Sequence, residues 1–234
     1  MARAQAKMHT PRSPPVTTDS IHPELLQEIF ASDQDMYPAP LTWERLEGWT
    51  RASPELALSL WFTGVDDSAS RPLVGAVIAL PILASCWRDL LVGKVKETDV
   101  DPETMFPRES DPGAEIGLHV FHVERYEAPG TQEMVPRIAE ISMKAVVEAA
   151  REKGWKVVGY SALTATPEGR RCFERMGFNP TGYEEFWVSC ESSPEMQLVT
   201  VSAETAHERK LLEEQSVKGH ATMLAKHVSS ADAA

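Results

Sequence analysis

Residues 154–178, GWKVVGYSALTATPEGRRCFERMGF, constrain the fold more than any other stretch. Residues 156–163 form a short apolar run rich in Val and Tyr, which indicates a buried strand. Thr166 is placed to cap a helix that begins at Pro167, where a missing N–H costs nothing. Gly177 ends that helix in the usual manner of a C-terminal glycine. The stretch therefore predicts a strand, a tight cap and a short helix in direct succession.

Composition narrows the class of protein. With 234 residues, 42% of them hydrophobic and 25% charged, the chain suits one domain of about 150–200 residues with loose ends. It has no run of about 20 apolar residues, so we expect no membrane span and no membrane partner. The net charge of −12 argues against nucleic acid as a partner. Three cysteines without a CxxC pair indicate a reducing, cytoplasmic setting and no metal site.

The hydrophobic patterns along the rest of the chain predict an α/β fold. Strands in succession with helices interspersed indicate a mixed sheet. Two helices come first, and the predicted elements after them are strands at 56–63 and 73–83, an acidic insertion at 84–113, a strand at 114–126, a long helix at 135–153, the 154–178 unit and strands at 183–190 and 196–202.

These elements predict one domain at residues 20–202 between two looser ends. Residues 1–19 are rich in Pro, Ser and Thr, which favours a disordered tail. Residues 203–234 are polar and helix-prone, and we expect a weakly docked helix followed by a flexible end. The closing strand pair and this C-terminal tail are candidate elements of a homodimer.

The order of elements resembles that of the GNAT acyltransferases, which move an acyl group from coenzyme A to an amine. Many members carry Asn-x-x-Ala-x-x-x-Tyr-x-x-x-Gly-Phe after the fifth strand. Here the same frame reads Thr166, Gly169, Phe173, Gly177 and Phe178, with three of its five positions changed. The resemblance covers roughly residues 21–202. It implies a mixed, mostly antiparallel sheet with splayed central strands, flanked by helices.

The resemblance also implies a site for acetyl-CoA or another acyl-CoA as co-substrate, without a metal. Where the fourth and fifth strands splay, backbone groups of the fourth would bond the pantetheine arm, and the next helix would offer its N-terminus to the pyrophosphate. The family's pyrophosphate loop, Arg/Gln-x-x-Gly-x-Gly/Ala, falls on MVPRIA at 134–139, where only the last residue fits. The expected cofactor-binding residues are Phe121, His122, Val123, Glu124, Arg137, Ile138, Ala139, Glu140, Thr166, Gly169 and Phe173.

Transfer to an amine requires the ammonium to lose a proton before it attacks the thioester. The candidate bases are His119, His122 and Glu115, and a water molecule is the alternative. His119 and His122 have opposite strand parity, so at most one faces the cleft unless a bulge intervenes. Phe173 stands where many family members use a tyrosine as the acid. Phenylalanine cannot donate a proton, so we expect it to pack beside the thioester.

The acceptor pocket in this family is often walled by the loop between the first two helices. In this chain residues 32–40 contain carboxylates and an aromatic side chain, and Asp35 and Tyr37 are the candidate contacts for a cationic amine. A capped polar turn is the alternative interpretation. The predicted function is transfer of an acyl group, with acetyl first, to a primary amine of a small molecule or peptide. The alternatives are a non-catalytic acyl-CoA-binding domain and an acidic interaction protein.

Overall fold

The computed structural model describes residues 16–36, 41–63, 71–108, 110–127, 135–189, 196–205, 212 and 216–228, without the side chains of residues 35 and 36. Eight strands form one sheet: β1 Val16–Ser20, β2 Ala57–Phe62, β3 Leu73–Leu83, β4 Glu115–Arg125, β5 Lys156–Thr164, β6 Asn179–Ser189, β7 Met196–Val201 and β8 Ser216–His227. The described helices are α1 Pro23–Met36, α2 Trp43–Ala52, α3 Ala84–Leu91, α4 Pro102–Met105, α5 Ile138–Glu152 and α6 Pro167–Arg175. None of them is long and apolar enough to cross a membrane.

The sheet is mixed and mostly antiparallel, as predicted. Its strand order is β1-β2-β3-β4-β5-β8-β6-β7, and the β4–β5 pair alone is parallel. A parallel pair needs a crossover connection, and α5 supplies it. The parallel pair therefore lies in the middle of the sheet, between two antiparallel halves.

Helices cover both faces of the sheet. On one face α5 and α6 bury Val146 and Phe173 against the strands. On the other face α1, α2 and α3 bury Ile29, Trp49 and Trp87. Both faces of the central strands are thereby largely removed from water, which is why β3 reads as a nearly continuous apolar run.

The prediction for the C-terminal tail was wrong over residues 216–227. Residues 216–227 are not a helix but strand β8, which lies between β5 and β6. Its middle segment, Ala221 to Ala225, is buried because the strand has a neighbour on each side and packed faces above and below. Pairing with the edges of β5 and β6 determines the conformation of this segment and outweighs the local helix preference of its polar sequence. The domain thus extends past residue 202.

The N-terminal boundary also differs from the predicted one. Val16–Ser20 pairs with β2 as an edge strand, so the predicted disordered tail at 1–19 is wrong from residue 16 onward. Residues 1–15 lie outside the described residues. The short strand is largely exposed, which explains why its sequence carries no hydrophobic signal.

The insertion at 84–113 forms an ordered layer over the face that carries α1–α3. After α3 it makes a 3-10 turn at Glu97–Asp99 and the short helix α4. The indole N–H of Trp49 donates to the carbonyl oxygen of Val100 at 2.8 Å, and the Trp49 ring is itself buried. Gly93, with φ +76°, lies so close to the Tyr183 ring that a Cβ there would be 2.2 Å from it. These contacts hold the 3-10 turn in a fixed place above the sheet.

The 154–178 unit has the predicted form. The Thr166 hydroxyl accepts the N–H of Gly169 at the start of α6, Pro167 occupies the first turn, and Gly177 follows the helix with φ +87°. Thr166 and Gly169 are thereby held at the end of β5 where the candidate site lies.

Candidate active site

A cleft opens where β4 and β5 separate. Their pairing runs from Glu115↔Lys156 to Val120↔Ala162 and then stops, although β4 continues to Arg125. The cavity between the separated ends has a volume of about 380 Å³. It is lined from β4 by residues 121–125 and, from the end of β5 and the start of α6, by Thr166, Gly169 and Phe173. The cleft thus collects the residues that the sequence predicted on these two elements.

The backbone of β4 is open to this cleft. The N–H of Tyr126 donates to the carbonyl oxygen of Val74 on β3 at 3.1 Å. Backbone groups of successive residues in an antiparallel strand point alternately to its two sides. Val123 and Arg125 therefore direct their backbone N–H and C=O groups away from β3, into the gap left by β5. Such groups need a partner, and an extended amide-containing ligand would supply one.

A bulge in β4 decides which side chains face the cleft together. Ile78 pairs with His122 and Ala79 with Val120, so Phe121 is an extra residue on β4. His119, opposite Leu80, and His122, opposite Ile78, consequently point to the same face of the sheet. Without this bulge, the spacing of three residues would place His119 and His122 on opposite faces of the strand.

His119 is fully buried and has partners on both ring nitrogens. Its Nε2 lies 2.6 Å from Oε1 of Glu97, and its Nδ1 lies 2.8 Å from Oγ of Ser161. The indole N–H of Trp87 donates to the same Ser161 oxygen at 2.8 Å. The four side chains form a continuous hydrogen-bonded chain from the interior to Glu97. His119 does not itself line the cleft.

Two glycines leave the space that the Trp87 ring occupies, here called the Trp87 seat. Gly117 on β4 and Gly159 on β5 are directly paired, and the indole lies across both of them. A Cβ at Gly117 would be 2.1 Å from the ring, and one at Gly159 would be 2.3 Å from it. A side chain at either position would displace the indole and its bond to Ser161.

Glu97 connects the hydrogen-bonded side chains of Trp87, Ser161 and His119 to the cleft. It lies in the 3-10 turn of the insertion, lines the cavity beside Thr98, and has a side chain 14% exposed. Sequence reasoning missed Glu97 as a site residue, since no motif marks it and the insertion contains many acidic residues. The available signal was the length of the insertion, because long ordered insertions are often functional.

A second carboxyl lies buried near Glu97. Glu185 on β6 accepts the hydroxyl of Tyr183 at 2.6 Å, and both side chains are buried. Burial raises the pKa of Glu185 to about 7; the charges of Glu97 and Asp99 act in the same direction, and the hydrogen bond from Tyr183 and the charge of Lys96 oppose it. The insertion therefore places charges of both signs near this buried carboxyl.

His122 lines the cleft between two carboxylates. Its Nδ1 is 3.2 Å from Oδ1 of Asp33, and its Nε2 is 3.4 Å from Oε2 of Glu124. Burial lowers the pKa of His122, but the hydrogen bond and charge of Asp33 together with those of Glu124 outweigh it and raise the pKa to about 9. The pKa of Glu124 is lowered, chiefly by His122. At neutral pH His122 is an imidazolium, and a protonated ring cannot accept a proton from an amine.

The remaining catalytic candidate, Glu115, lies at the wrong end of β4. It is paired with Lys156, where β4 and β5 are still together, and is exposed. With about 3.3 Å per residue, the eight residues to Val123 place it more than about 20 Å from the open part of the cleft. Glu115 therefore does not reach the cleft.

The predicted acceptor loop is partly helical. Helix α1 continues to Met36, so Asp33 and Asp35 lie in its last turns and not in a loop. Asp33 reaches the cleft. The side chain of Asp35 and all of Tyr37 lie outside the described residues, and their predicted roles stay predictions.

The predicted pyrophosphate site borders a second groove of about 590 Å³. Arg137, Ile138, Ala139 and Glu140 line it with Cys172, and Arg125 lines both this groove and the cleft. The Arg125 guanidinium donates to the carbonyl oxygens of Val135 at 2.8 Å and Pro136 at 2.9 Å. It thereby ties the start of α5 to β4, and the first N–H groups of α5 have no partner within the helix.

Phe173 packs as an aromatic residue should. It is 4% exposed, and its ring meets that of Phe178 edge-on with centroids 5.0 Å apart. On the outer side of α6, Arg170 pairs with Glu174 and Arg171 with Glu168. These two arginines are thus engaged on the surface of their own helix.

Neither a protein-family model nor a curated protein sequence significantly matches the chain. Solved structures do match it, among them Arabidopsis thaliana NAA60 in complex with acetyl-CoA (11% identity, TM-score 0.49), Ard1 from Thermoplasma volcanium (11%, 0.47) and Drosophila melanogaster polyamine N-acetyltransferase (14%, 0.47). The matches cover 91%, 92% and 91% of this chain and 99%, 99% and 100% of those chains, respectively. Identities this low identify neither a substrate nor an activity.

The geometry of the sheet identifies the fold. Its features are a mixed sheet, a central parallel pair that separates at one end, a bulge beside the opening, and a capped helix that begins at the gap. This architecture is the GNAT-like one that the sequence predicted, a mixed and mostly antiparallel sheet with splayed central strands flanked by helices.

Proposed function

We propose that the chain transfers an acyl group, acetyl in the first instance, from coenzyme A to a primary amine. The observation that carries the proposal is the open edge of β4, where Val123 and Arg125 present backbone groups to a cleft that β5 has left. A pantetheine arm carries amides and can complete that edge as a pseudo-strand. The N–H of Val123 is then available to polarise the thioester carbonyl.

The two sides of the cleft suit two different substrates. The side of α6 and α5 offers helix starts and Arg125 for the phosphates of the cofactor. The side of α1 and the insertion offers Asp33, Glu97 and Glu124, which attract an ammonium group. The acceptor is therefore a cationic amine, on a small molecule or a peptide. A homodimer and a cytoplasmic location stay predictions of the sequence.

Binding and transfer are tested separately. Acetyl-CoA is titrated into the full chain by calorimetry, and release of the free thiol is then followed across a panel of primary amines. We expect binding at micromolar to sub-millimolar ligand and thiol release with cationic amines. Absence of binding at millimolar acetyl-CoA would overturn the proposal.

A pair of glycine substitutions locates the site. Gly169→Leu places a side chain in the cleft and should weaken acetyl-CoA binding at least about tenfold through steric exclusion. Gly48→Leu is the matched control, because a Cβ at this helical position meets no atom within 4 Å. Equal affinities of the two variants would place the ligand elsewhere.

A second candidate function is acyl-CoA binding without transfer. The observation that favours it is Phe173, which is packed against Phe178 and has no proton to give to a leaving thiolate. Binding without thiol release across a broad amine panel would support this alternative.

A further inference from the structure

We propose that Glu97 is the general base of the acyl transfer and that His119, Ser161 and Trp87 are the residues that position it. The inference rests on the proposed function. It assigns catalysis to a residue of the insertion, away from every motif of the sequence. Its basis is the hydrogen-bonded chain that starts in the core and ends at the cleft.

The direction of the hydrogen bonds follows from their donors. Trp87 N–H can only donate, so the Ser161 oxygen accepts it. Nδ1 of His119 lies 2.8 Å from the same Ser161 oxygen. A carboxylate oxygen can only accept, so the Nε2–H of His119 donates to Oε1 of Glu97 at 2.6 Å. This assignment leaves Glu97 as an acceptor with a fixed orientation, and its second oxygen is not used by His119.

Burial holds the hydrogen-bonded side chains of this series in fixed positions. His119 and Ser161 are fully buried, and Trp87 is 1% exposed and held against Gly117 and Gly159. Glu97 in turn sits in a 3-10 turn anchored by the bond from Trp49 to Val100. A base held from both sides keeps a constant distance to a bound amine, which is the condition for efficient proton transfer.

The other acidic and basic groups of the cleft are less suited to the task. His122 is already protonated at neutral pH, and Asp33 and Glu124 are paired with it. Glu168 pairs with Arg171 at the start of α6, on the cofactor side. Among the described lining residues, Glu97 is the carboxylate whose partner is a fully buried side chain outside the cleft, His119.

The reaction balances with one proton on Glu97. The bound ammonium gives a proton to the Glu97 carboxylate and becomes a neutral amine. Its nitrogen forms a bond to the thioester carbon, the carbon–sulfur bond breaks, and the second nitrogen-bound proton leaves with the thiolate as coenzyme A thiol. Glu97 then returns its proton to water through the open side of the cleft.

The first test replaces the base without changing its size. Glu97→Gln should lower kcat for thiol release by about 10² to 10⁴-fold and remove the loss of rate at acidic pH, with calorimetric affinity for acetyl-CoA within about threefold of wild type. Asp99→Asn is the matched control: it removes one negative charge from an exposed position in the same turn and should leave kcat unchanged. A Glu97→Gln variant with wild-type kcat and an unchanged acidic limb would overturn the assignment.

The second test separates positioning from packing. His119→Leu removes the donor to Glu97 and should lower kcat at least about tenfold with KM for acetyl-CoA unchanged, since a small misplacement of a base is costly. His119→Gln retains an N–H donor and should recover most of the rate. Ser161→Ala should have an intermediate effect. Equal losses of kcat and of thermal stability in the Leu and Gln variants would mean that His119 serves packing alone, and would overturn its positioning role.

Failure of this inference is distinguishable from failure of the proposed function. A wild-type chain that binds no acetyl-CoA contradicts the acyl transfer itself. A wild-type chain that binds acetyl-CoA and releases thiol, with Glu97→Gln equally active, contradicts only the role of Glu97.

Discussion

Two histidines on one face of β4, His119 and His122, differ in role because their surroundings differ. His119 is sealed in the core, with one nitrogen bound to a hydroxyl and the other to a carboxylate. His122 lines the cleft between two carboxylates, which raise its pKa to about 9. The residue type, strand and face are the same, so the difference comes from the second partner. A histidine near a carboxylate cannot be assigned a role until its other nitrogen is known.

The two surroundings also differ in how they are built. The pocket of His119 is fixed by backbone and packing, through two glycines and a tryptophan. The pocket of His122 is fixed by charge, through Asp33 on α1 and Glu124 on β4. Stability should therefore depend mainly on packing at the His119 pocket and on pH at the His122 pocket.

Gly117→Ala should have the largest effect, because the new Cβ would stand 2.1 Å from the Trp87 ring in a filled core. We expect a loss of about 3 kcal/mol or more in the free energy of unfolding, measured by urea denaturation. The control is Gly48→Ala on the open side of α2, which should gain up to about 1 kcal/mol. Similar stabilities for wild type and Gly117→Ala would show that the Trp87 seat is not tight.

His122→Gln should have a comparable but pH-limited effect. A rise of the folded-state pKa from 6.5 to about 9 corresponds to up to about 3 kcal/mol. Because the folded state holds the proton more tightly, this stabilisation is complete below pH 6.5 and is lost as pH rises through about 9. Denaturation across this range should show wild type losing stability relative to the variant. Parallel curves for the two proteins would contradict a cationic His122.

Asp33→Asn should have the smallest effect. The substitution leaves Glu124 in place, so the pKa of His122 should move back toward its ordinary value without reaching it. We expect a stability change of about 1 kcal/mol at neutral pH. The midpoint of the His122 imidazole signals in an NMR titration measures the change, with Asp99→Asn as the charge-matched control. A midpoint equal to that of wild type would leave Glu124 as the dominant partner.

Local patterns predicted much of this fold. The strand at 73–83 and the cap at Thr166 follow from apolar runs, capping chemistry and proline at a helix start, all of which act over a few residues. The gap between β4 and β5 was expected from the resemblance. Strand β8 was not predicted, since its conformation depends on two edges far away in sequence.

The sequence by itself determined the types of the long elements from α1 to β7, the capped helix at the end of β5 and the two strands that form the cleft. Tertiary structure decided which chemical groups meet there. The bulge at Phe121 brings His119 and His122 to one face, and the insertion carries Glu97 to His119 from 22 residues away. Both depend on backbone register and on contacts between segments distant in sequence, whereas local patterns report only on neighbours along the chain.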